Sequence, residues 1–221
     1  MSYLSNDNNS MSFNNFNNLP TLPYKIFERL ATLTSDDSEN LWKAIAYDTI
    51  DCISQTALTY EQKIALIWNA NQSDELSYRI FNKPLIVSAM NTSAEMTQLR
   101  MYRYGIIPTN RQQAVILFET DIYTADKTAC IYDENGINVE RTDYIEAKLL
   151  SCLNGADLNV GVDYFRFDAE LNSSIKSLMN INNSKAFYGR SLLMGMIYAD
   201  ISTGGGCSNG WYWSFKSYGF Y

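Results

Sequence analysis

The stretch from Arg111 to Asn154 constrains the fold most, because several local signals follow one another in it without a break. Residues 114–123 are rich in β-branched and aromatic side chains and contain no Gly or Pro, a pattern that predicts a strand. The Asn135-Gly136 step is the strongest short-range signal for a chain reversal. It predicts a hairpin between residues 129–132 and 137–139.

A helix is predicted directly after this hairpin, since the apolar residues that follow Arg141 recur at helical spacing. The residues that carry this spacing are Ile145, Leu149, Leu150 and Leu153. Gly155 stands where a C-terminal cap belongs. A strand, a hairpin and an amphipathic helix in one continuous block indicate an α+β domain.

The residues before this block predict mainly helices. Pro20 and Pro23 suit the first turn of a helix that runs to about Thr34. A second helix is predicted to start at the cluster of residues 34–37 and to carry its apolar stripe through Leu41, Trp42, Ile45, Cys52 and Ile53. Capping-box patterns predict a third helix after Thr59 and a fourth from Thr92 to Gly105.

The residues after the block predict strands. Residues 160–168 form one strand, and residues 186–201 form a last, long strand that is apolar on both faces and therefore central. Gly189 and Gly195 are predicted bulge or bend points in it. The expected fold class is α+β, with a helical N-terminal half followed by a mainly antiparallel sheet with one packed helix. The predicted regions are a flexible arm (1–19), a helical region (20–105), an α+β sheet region (106–202) and a glycine hinge with an aromatic tail (203–221).

The charge balance and the absence of histidine exclude several classes of function. The chain carries 17 basic and 24 acidic residues, a net charge of −7, and the basic residues are scattered singly. A broad nucleic-acid-binding surface is therefore not expected. With 0 histidines, the Ser-His-Asp and Cys-His nucleophile systems and histidine-containing zinc sites are excluded. No motif for a cofactor or a metal is present, and we expect neither.

The four cysteines, Cys52, Cys130, Cys152 and Cys207, form no C-x-x-C pair, and we interpret them as reduced thiols. No targeting signal is recognised in the first eighteen residues. No apolar run approaches the roughly 20 residues that a membrane-spanning helix needs. These patterns predict a protein made in a reducing cytosol.

Both ends of the chain predict contacts with other subunits. The asparagine-rich arm is interpreted first as a flexible terminus, and its two isolated phenylalanines give the alternative of a docking arm. The tail that follows Gly204-Gly205-Gly206 is dense in aromatic residues. The predicted subunit or partner contacts are Phe13, Phe16, Trp211, Trp213, Phe215, Tyr218, Phe220 and Tyr221. A tail that folds back as an edge strand on its own sheet is the alternative, and the glycine hinge favours a neighbouring subunit.

Glu119 and Asp121 are the candidate catalytic pair. Two residues apart on a strand, their side chains emerge on one face and could hold a divalent metal between them, as in half of a metal-dependent nuclease centre. The structural interpretation, which we favour, is one polar face of an antiparallel strand.

Residues 110–201 resemble the small α+β proteins that join head to tail in tailed bacteriophages. The resemblance rests on the strand 115–123, the helix 141–150 with Leu153-Asn154-Gly155, the Phe187-Tyr188-Gly189-Arg190 run and the closing strand that ends at Ile201. Tail-terminator and neck proteins are similar in this progression. The asparagine-rich composition resembles that of phages of AT-rich gut hosts, such as the crAss-like group.

The resemblance implies a non-enzymatic virion protein of the head-tail connector or neck. Such a protein would form a cyclic homo-oligomer of roughly twelve or six copies, joined through heterologous interfaces. It would contact the portal and other neck or tail proteins, and DNA would pass the lumen without specific binding. Assembly would take place in the host bacterial cytoplasm, with no membrane involved.

Overall fold

The computed structural model of the chain describes residues 20–68, 78–82, 96–108, 113–156, 165–167, 179–180 and 187–199. The helices are α1 (Leu22–Ala31), α2 (Asp36–Ala46), α3 (Tyr60–Ala65) and α4 (Arg141–Leu153), with short 3-10 helices at Cys52–Ser54 and Asp126–Thr128. The strands are β1 (Ile80–Phe81), β2 (Gln98–Pro108), β3 (Gln113–Ala125), β4 (Cys130–Tyr132), β5 (Asn138–Glu140), β6 (Phe165–Phe167), β7 (Met179–Asn180) and β8 (Phe187–Ala199). The predicted α+β class, with a helical N-terminal half, a mainly antiparallel sheet and a packed helix, is confirmed.

Within the described residues, six strands form one sheet in the order β1-β2-β3-β8-β6, and β7 pairs with β8 as well. The β1–β2 pair is parallel, and the other described pairs of this sheet are antiparallel. β3 and β8 pair along their whole length, from Gln113 opposite Ala199 to Ala125 opposite Phe187. The prediction that β8 is central is thus confirmed.

One face of the sheet packs against the helices. Ile116, Phe118 and Ile122 of β3 are fully buried, and they belong to one apolar cluster with residues of α1, α2 and α4. The helical members of that cluster include Ile26, Phe27, Leu30, Leu41, Trp42, Ile45, Ile145, Leu149 and Leu153. Each fully buried aliphatic or aromatic side chain contributes roughly 1.5–3 kcal/mol, so this layer holds helices and sheet in a single core.

α2 begins where the sequence predicts and ends earlier. Ser35 caps it, because its Oγ atom accepts a hydrogen bond from the backbone N–H of Ser38 at 3.3 Å. The predicted continuation to Cys52 and Ile53 is wrong: the helix ends at Ala46, and those two residues lie in a separate 3-10 helix, still buried. The guanidinium of Arg141 donates hydrogen bonds to the carbonyl oxygens of Ala44 and Tyr47. In a continuing helix these oxygens would accept from backbone N–H groups of the next turn.

The predicted fourth helix is also wrong in the residues that the structure describes, because Gln98–Pro108 is strand β2. Leu99 and Met101 face the helical core, whereas Arg100 lies on the opposite face, as in an alternating strand. Gly105, predicted as the helix terminator, follows a shift of register between Arg103 and Gly105. Pairing with β3 over ten residue pairs outweighs the local helical spacing.

The hairpin, the third helix and α4 are confirmed. Gly136 has a φ of 74° in the turn between β4 and β5, a backbone conformation that glycine adopts without strain. Thr59 and Gln62 form the predicted capping box of α3. Gly155 follows α4 with a φ of 76°, as a C-terminal cap requires.

Gly189 and Gly195, predicted as bulge or bend points, form no bulge in the described part of β8, since the register with β3 runs through both positions without a shift. Gly189 is required for another reason. A Cβ atom at this position would lie 2.4 Å from the carbonyl oxygen of Ile122 and 2.7 Å from Cδ1 of Tyr123. The glycine therefore allows the two backbones to approach closely beside a tyrosine ring.

Candidate functional site

Glu119 and Asp121 lie on the same face of β3, as predicted, and this face is opposite the helical layer. Asp121 is completely buried and Glu119 is half-buried. Arg100 of β2 and Ser191 of β8 stand directly opposite Asp121 in the register of the sheet. The site is therefore built by three adjacent strands, each of which contributes polar side chains.

Asp121 forms an ion pair with Arg100. The Nε atom of Arg100 donates to Oδ2 of Asp121 at 2.5 Å, and the hydroxyl of Tyr123 donates to the same oxygen at 3.2 Å. A buried carboxylate is stable only when a cation and hydrogen bonds replace the water that it loses. Arg100 thus neutralises the carboxylate of Asp121, which the sequence predicts as a possible metal ligand.

Two tyrosines enclose the Arg100 guanidinium. Its central carbon lies 5.5 Å from the ring centroid of Tyr102 and 5.2 Å from that of Tyr123, within the range of cation–π attraction. Burial raises the pKa of Tyr102 and of Tyr123, and the neighbouring Asp121 raises both further. Both phenols therefore remain protonated and serve as hydrogen-bond donors at neutral pH.

Glu119 has different partners from Asp121. The Ser191 hydroxyl donates to its Oε1 atom at 3.1 Å, and the Tyr102 hydroxyl forms a second hydrogen bond with it. In the part of the chain that the structure describes, no three or more His, Cys, Asp or Glu side chains converge as a metal site would require. We define the ion-pair cluster as Arg100, Tyr102, Glu119, Asp121, Tyr123 and Ser191. Its geometry serves to join β2, β3 and β8.

A second charged group lies between α2, α4 and the β4–β5 hairpin. Nζ of Lys148 lies 2.6 Å from Oδ1 of Asp37 and 2.5 Å from Oε1 of Glu134. Hydrogen bonds from Lys148 and Ser151 lower the pKa of Asp37. Burial alone would raise the pKa of Glu134, but its hydrogen bond with Lys148 lowers it to about 2. The lysine is thus shared by two carboxylates that stay ionised well below neutral pH.

The described surface also exposes two groups of large apolar side chains that the sequence reasoning missed. The arm patch, which is distinct from the N-terminal arm (1–19), consists of Tyr104, Ile106 and Ile107 on β2. Tyr104 is 63% and Ile107 48% exposed. Successive residues of a strand point to opposite faces, so exposure of both Ile106 and Ile107 leaves both faces of this part of β2 open. The only signal for this patch in the sequence is the closely spaced apolar residues at 104–107. The predicted fourth helix ends among them, at Gly105.

The hairpin patch consists of Ile50, Tyr132 and Ile137. The backbone N–H of Tyr132 donates to the carbonyl oxygen of Ile50 at 2.8 Å, which places these two residues side by side. The N–H of Asp133, the next residue, donates to the carbonyl oxygen of Ile137 at 2.9 Å, which places Ile137 on the adjoining turn. Ile137 is 59% exposed. Exposed apolar side chains close to one another make both patches candidate contact surfaces.

The predicted subunit contacts lie outside the described residues. They are Phe13, Phe16, Trp211, Trp213, Phe215, Tyr218, Phe220 and Tyr221. Their role in joining subunits stays a prediction.

No protein-family model and no curated protein sequence matches this chain. Among the described helices, none has the length and apolar character needed to cross a membrane.

Proposed function

We propose that the protein is a non-enzymatic virion structural protein that forms an oligomeric ring in the head-tail connector or neck of a tailed bacteriophage, with DNA passing through the lumen. The observation that carries the proposal is the packing of three segments on which the resemblance to neck proteins rests. β3 and β8 pair along their full length, and α4 is joined to β8 where Arg190 forms ion pairs with Asp143 and Glu146.

The negative net charge and the internal ion pairs of the basic side chains support a channel that does not bind DNA. The net charge is −7, and several of the basic side chains are occupied by internal partners. Lys63 pairs with Glu39, Arg79 with Asp48, Arg100 with Asp121, Lys148 with Asp37 and Glu134, and Arg190 with Asp143 and Glu146. Basic side chains that are already paired within the protein contribute little to the phosphate contacts that tight DNA binding requires. DNA is expected to slide past such a surface.

The ion-pair cluster supports a structural rather than a catalytic role. A metal-dependent nuclease using Glu119 and Asp121, the alternative function, needs both carboxylates free to bind one cation. The Oδ2 atom of Asp121 instead pairs with Arg100 at 2.5 Å, and the whole side chain is buried away from solvent. A DNA-cleavage assay with Mg²⁺ or Mn²⁺ tests the alternative directly: cleavage by the wild-type protein that Asp121→Ala abolishes would replace our proposal with the nuclease.

The molar mass of the protein in solution tests whether it forms a ring. We expect size-exclusion chromatography with light scattering to give a cyclic oligomer, either for the protein alone or after mixing with the portal protein of the same phage. Negative-stain images should show rings with a central opening, and the protein should co-purify with intact virions. A chain that stays monomeric both alone and with the portal protein would overturn the proposal.

A further inference from the structure

The arm patch lies on β2 of the six-stranded sheet, whereas the hairpin patch lies on the separate β4–β5 pair and the loop at Ile50. Ile107 stands opposite Val115 near the start of β3, whereas the hairpin patch follows the other end of that strand at Ala125. Ten residue steps separate Val115 from Ala125, which at about 3.3 Å per residue is roughly 33 Å. One subunit therefore presents two separate apolar surfaces.

The two patches also differ in shape and charge. The arm patch is part of an extended strand beside the exposed cation Arg103. The hairpin patch is formed by a loop and a two-stranded hairpin, and Asp51 and Asp133 adjoin it. One basic residue beside the arm patch and two acidic residues beside the hairpin patch make the two surfaces complementary in charge to each other and not to themselves.

Two surfaces that fit each other but not themselves are what a head-to-tail interface requires. We infer that the arm patch of one copy of this chain docks on the hairpin patch of the next copy, with Arg103 facing Asp51 and Asp133. This inference rests on the proposed ring and names the surfaces that close it. The described sheet body then carries a subunit interface of its own, beside any contact made by the terminal segments.

The experiment uses two single variants of the full-length protein. Ile107→Glu places a charge in the arm patch, and Ile137→Glu places one in the hairpin patch; both positions are exposed in the subunit, so folding should be unaffected. Burying an unpaired carboxylate at the interface should weaken subunit association about 100-fold or more. Tyr60→Glu is the matched control, since Tyr60 is an exposed aromatic residue of α3 outside both patches.

The decisive measurement is native mass spectrometry of each variant alone and of an equimolar mixture. Each variant retains one intact patch, so Ile107→Glu and Ile137→Glu should each dissociate and should together form a dimer through the one remaining complementary pair. The Tyr60→Glu protein should keep the wild-type mass. Far-UV circular dichroism and thermal unfolding should match the wild type in all three.

Each other result has a distinct meaning. Variants that keep the intact ring would overturn this inference and leave the proposed function standing. Variants that dissociate but form no dimer on mixing would overturn the head-to-tail pairing. A wild-type protein that is monomeric alone and with the portal protein would overturn the proposed function and this inference together.

Discussion

Arg141, the first residue of α4, donates a hydrogen bond of 2.6 Å from its Nη1 atom to the carbonyl oxygen of Tyr47, the residue that directly follows α2. The same guanidinium donates to the carbonyl oxygens of Ala44 at 2.8 Å, Thr49 at 2.7 Å and Thr128 at 2.6 Å. Its four described hydrogen bonds thus all go to the backbone. A completely buried arginine joins the end of one helix to the start of another.

Arg141→Leu should lower the free energy of unfolding by roughly 3–5 kcal/mol, because it leaves buried carbonyl oxygens without donors. Arg141→Lys is the matched control. An ammonium has three donors and no planar fork, so we expect a smaller loss. Urea unfolding followed by circular dichroism measures both. A leucine variant as stable as the wild type would contradict the role that we assign to Arg141.

Gly189→Ala should destabilise the protein by about 1–3 kcal/mol, because the added Cβ would meet the Ile122 carbonyl oxygen at 2.4 Å and the backbones would have to separate. Gly195→Ala is a control in the same strand. There the nearest atoms would be side-chain carbons of Val115 at 3.4 Å and Leu117 at 3.6 Å, so the cost should stay below about 1 kcal/mol. Thermal unfolding of the two variants compares them, and equal losses would count against the close approach at Gly189.

Arg100→Met should cost more stability than Asp121→Asn. The first change leaves a completely buried carboxylate without its cation, at roughly 3–5 kcal/mol, whereas the second leaves a partly exposed guanidinium and a neutral acceptor. The double variant Arg100→Met/Asp121→Asn should cost less than the two single losses combined. Chemical unfolding of the full cycle measures the coupling, and strict additivity would show that the ion pair contributes nothing to stability.

Acid should weaken the contacts of Lys148. The pKa of Glu134 falls from its ordinary 4.5 to about 2 on folding, and that of Asp37 is lowered as well. Groups with a lowered folded-state pKa stabilise fully above their ordinary pKa and lose this contribution as the pH falls through the folded-state value. The free energy of unfolding should therefore decrease between about pH 4.5 and pH 2.

Lys148→Met should flatten this part of the pH profile, because both carboxylates lose the cation that lowers their pKa. Lys25→Met serves as the control, since Lys25 contacts neither carboxylate among the described residues. Urea unfolding at several pH values across the window gives the comparison. An unchanged slope in the Lys148 variant would assign the acid sensitivity to other groups.

Deleting residues 204–221 should leave the block from Arg111 to Asn154 folded and abolish assembly. The physical reason is that the aromatic tail follows a glycine hinge, which allows it to reach a neighbouring subunit. Circular dichroism tests the fold and light scattering tests the assembly. An unfolded product would mean that the tail belongs to the core of its own subunit.

The sequence predicted best those elements whose signals are local. The hairpin at Asn135-Gly136, the capping box at Thr59 and Gln62, and α4 with its glycine cap all depend on residues within a few positions of one another. Their conformations are favoured by interactions between residues that are close in sequence. The structure confirms each of them.

The errors arose where a distant partner decides the conformation. Residues 98–105 carry apolar side chains at both helical and alternating spacing, and pairing with β3 selects the strand. The early end of α2 depends on Arg141, about a hundred positions away. The pairing of Asp121 with Arg100 is not predicted for the same reason, because Arg100 lies on β2, for which the local spacing predicts a helix.

The pairing of β3 with β8 sets the order in which the chain can fold. β3 is complete at Ala125, but its partner begins at Phe187, so residues 126–186 must be synthesised before the centre of the sheet closes. Until then one edge of β3 has no partner from β8 and can pair with another nascent chain. Local elements such as the hairpin and α4 form first, and closure by β8 is expected to be the slow, aggregation-sensitive step of folding.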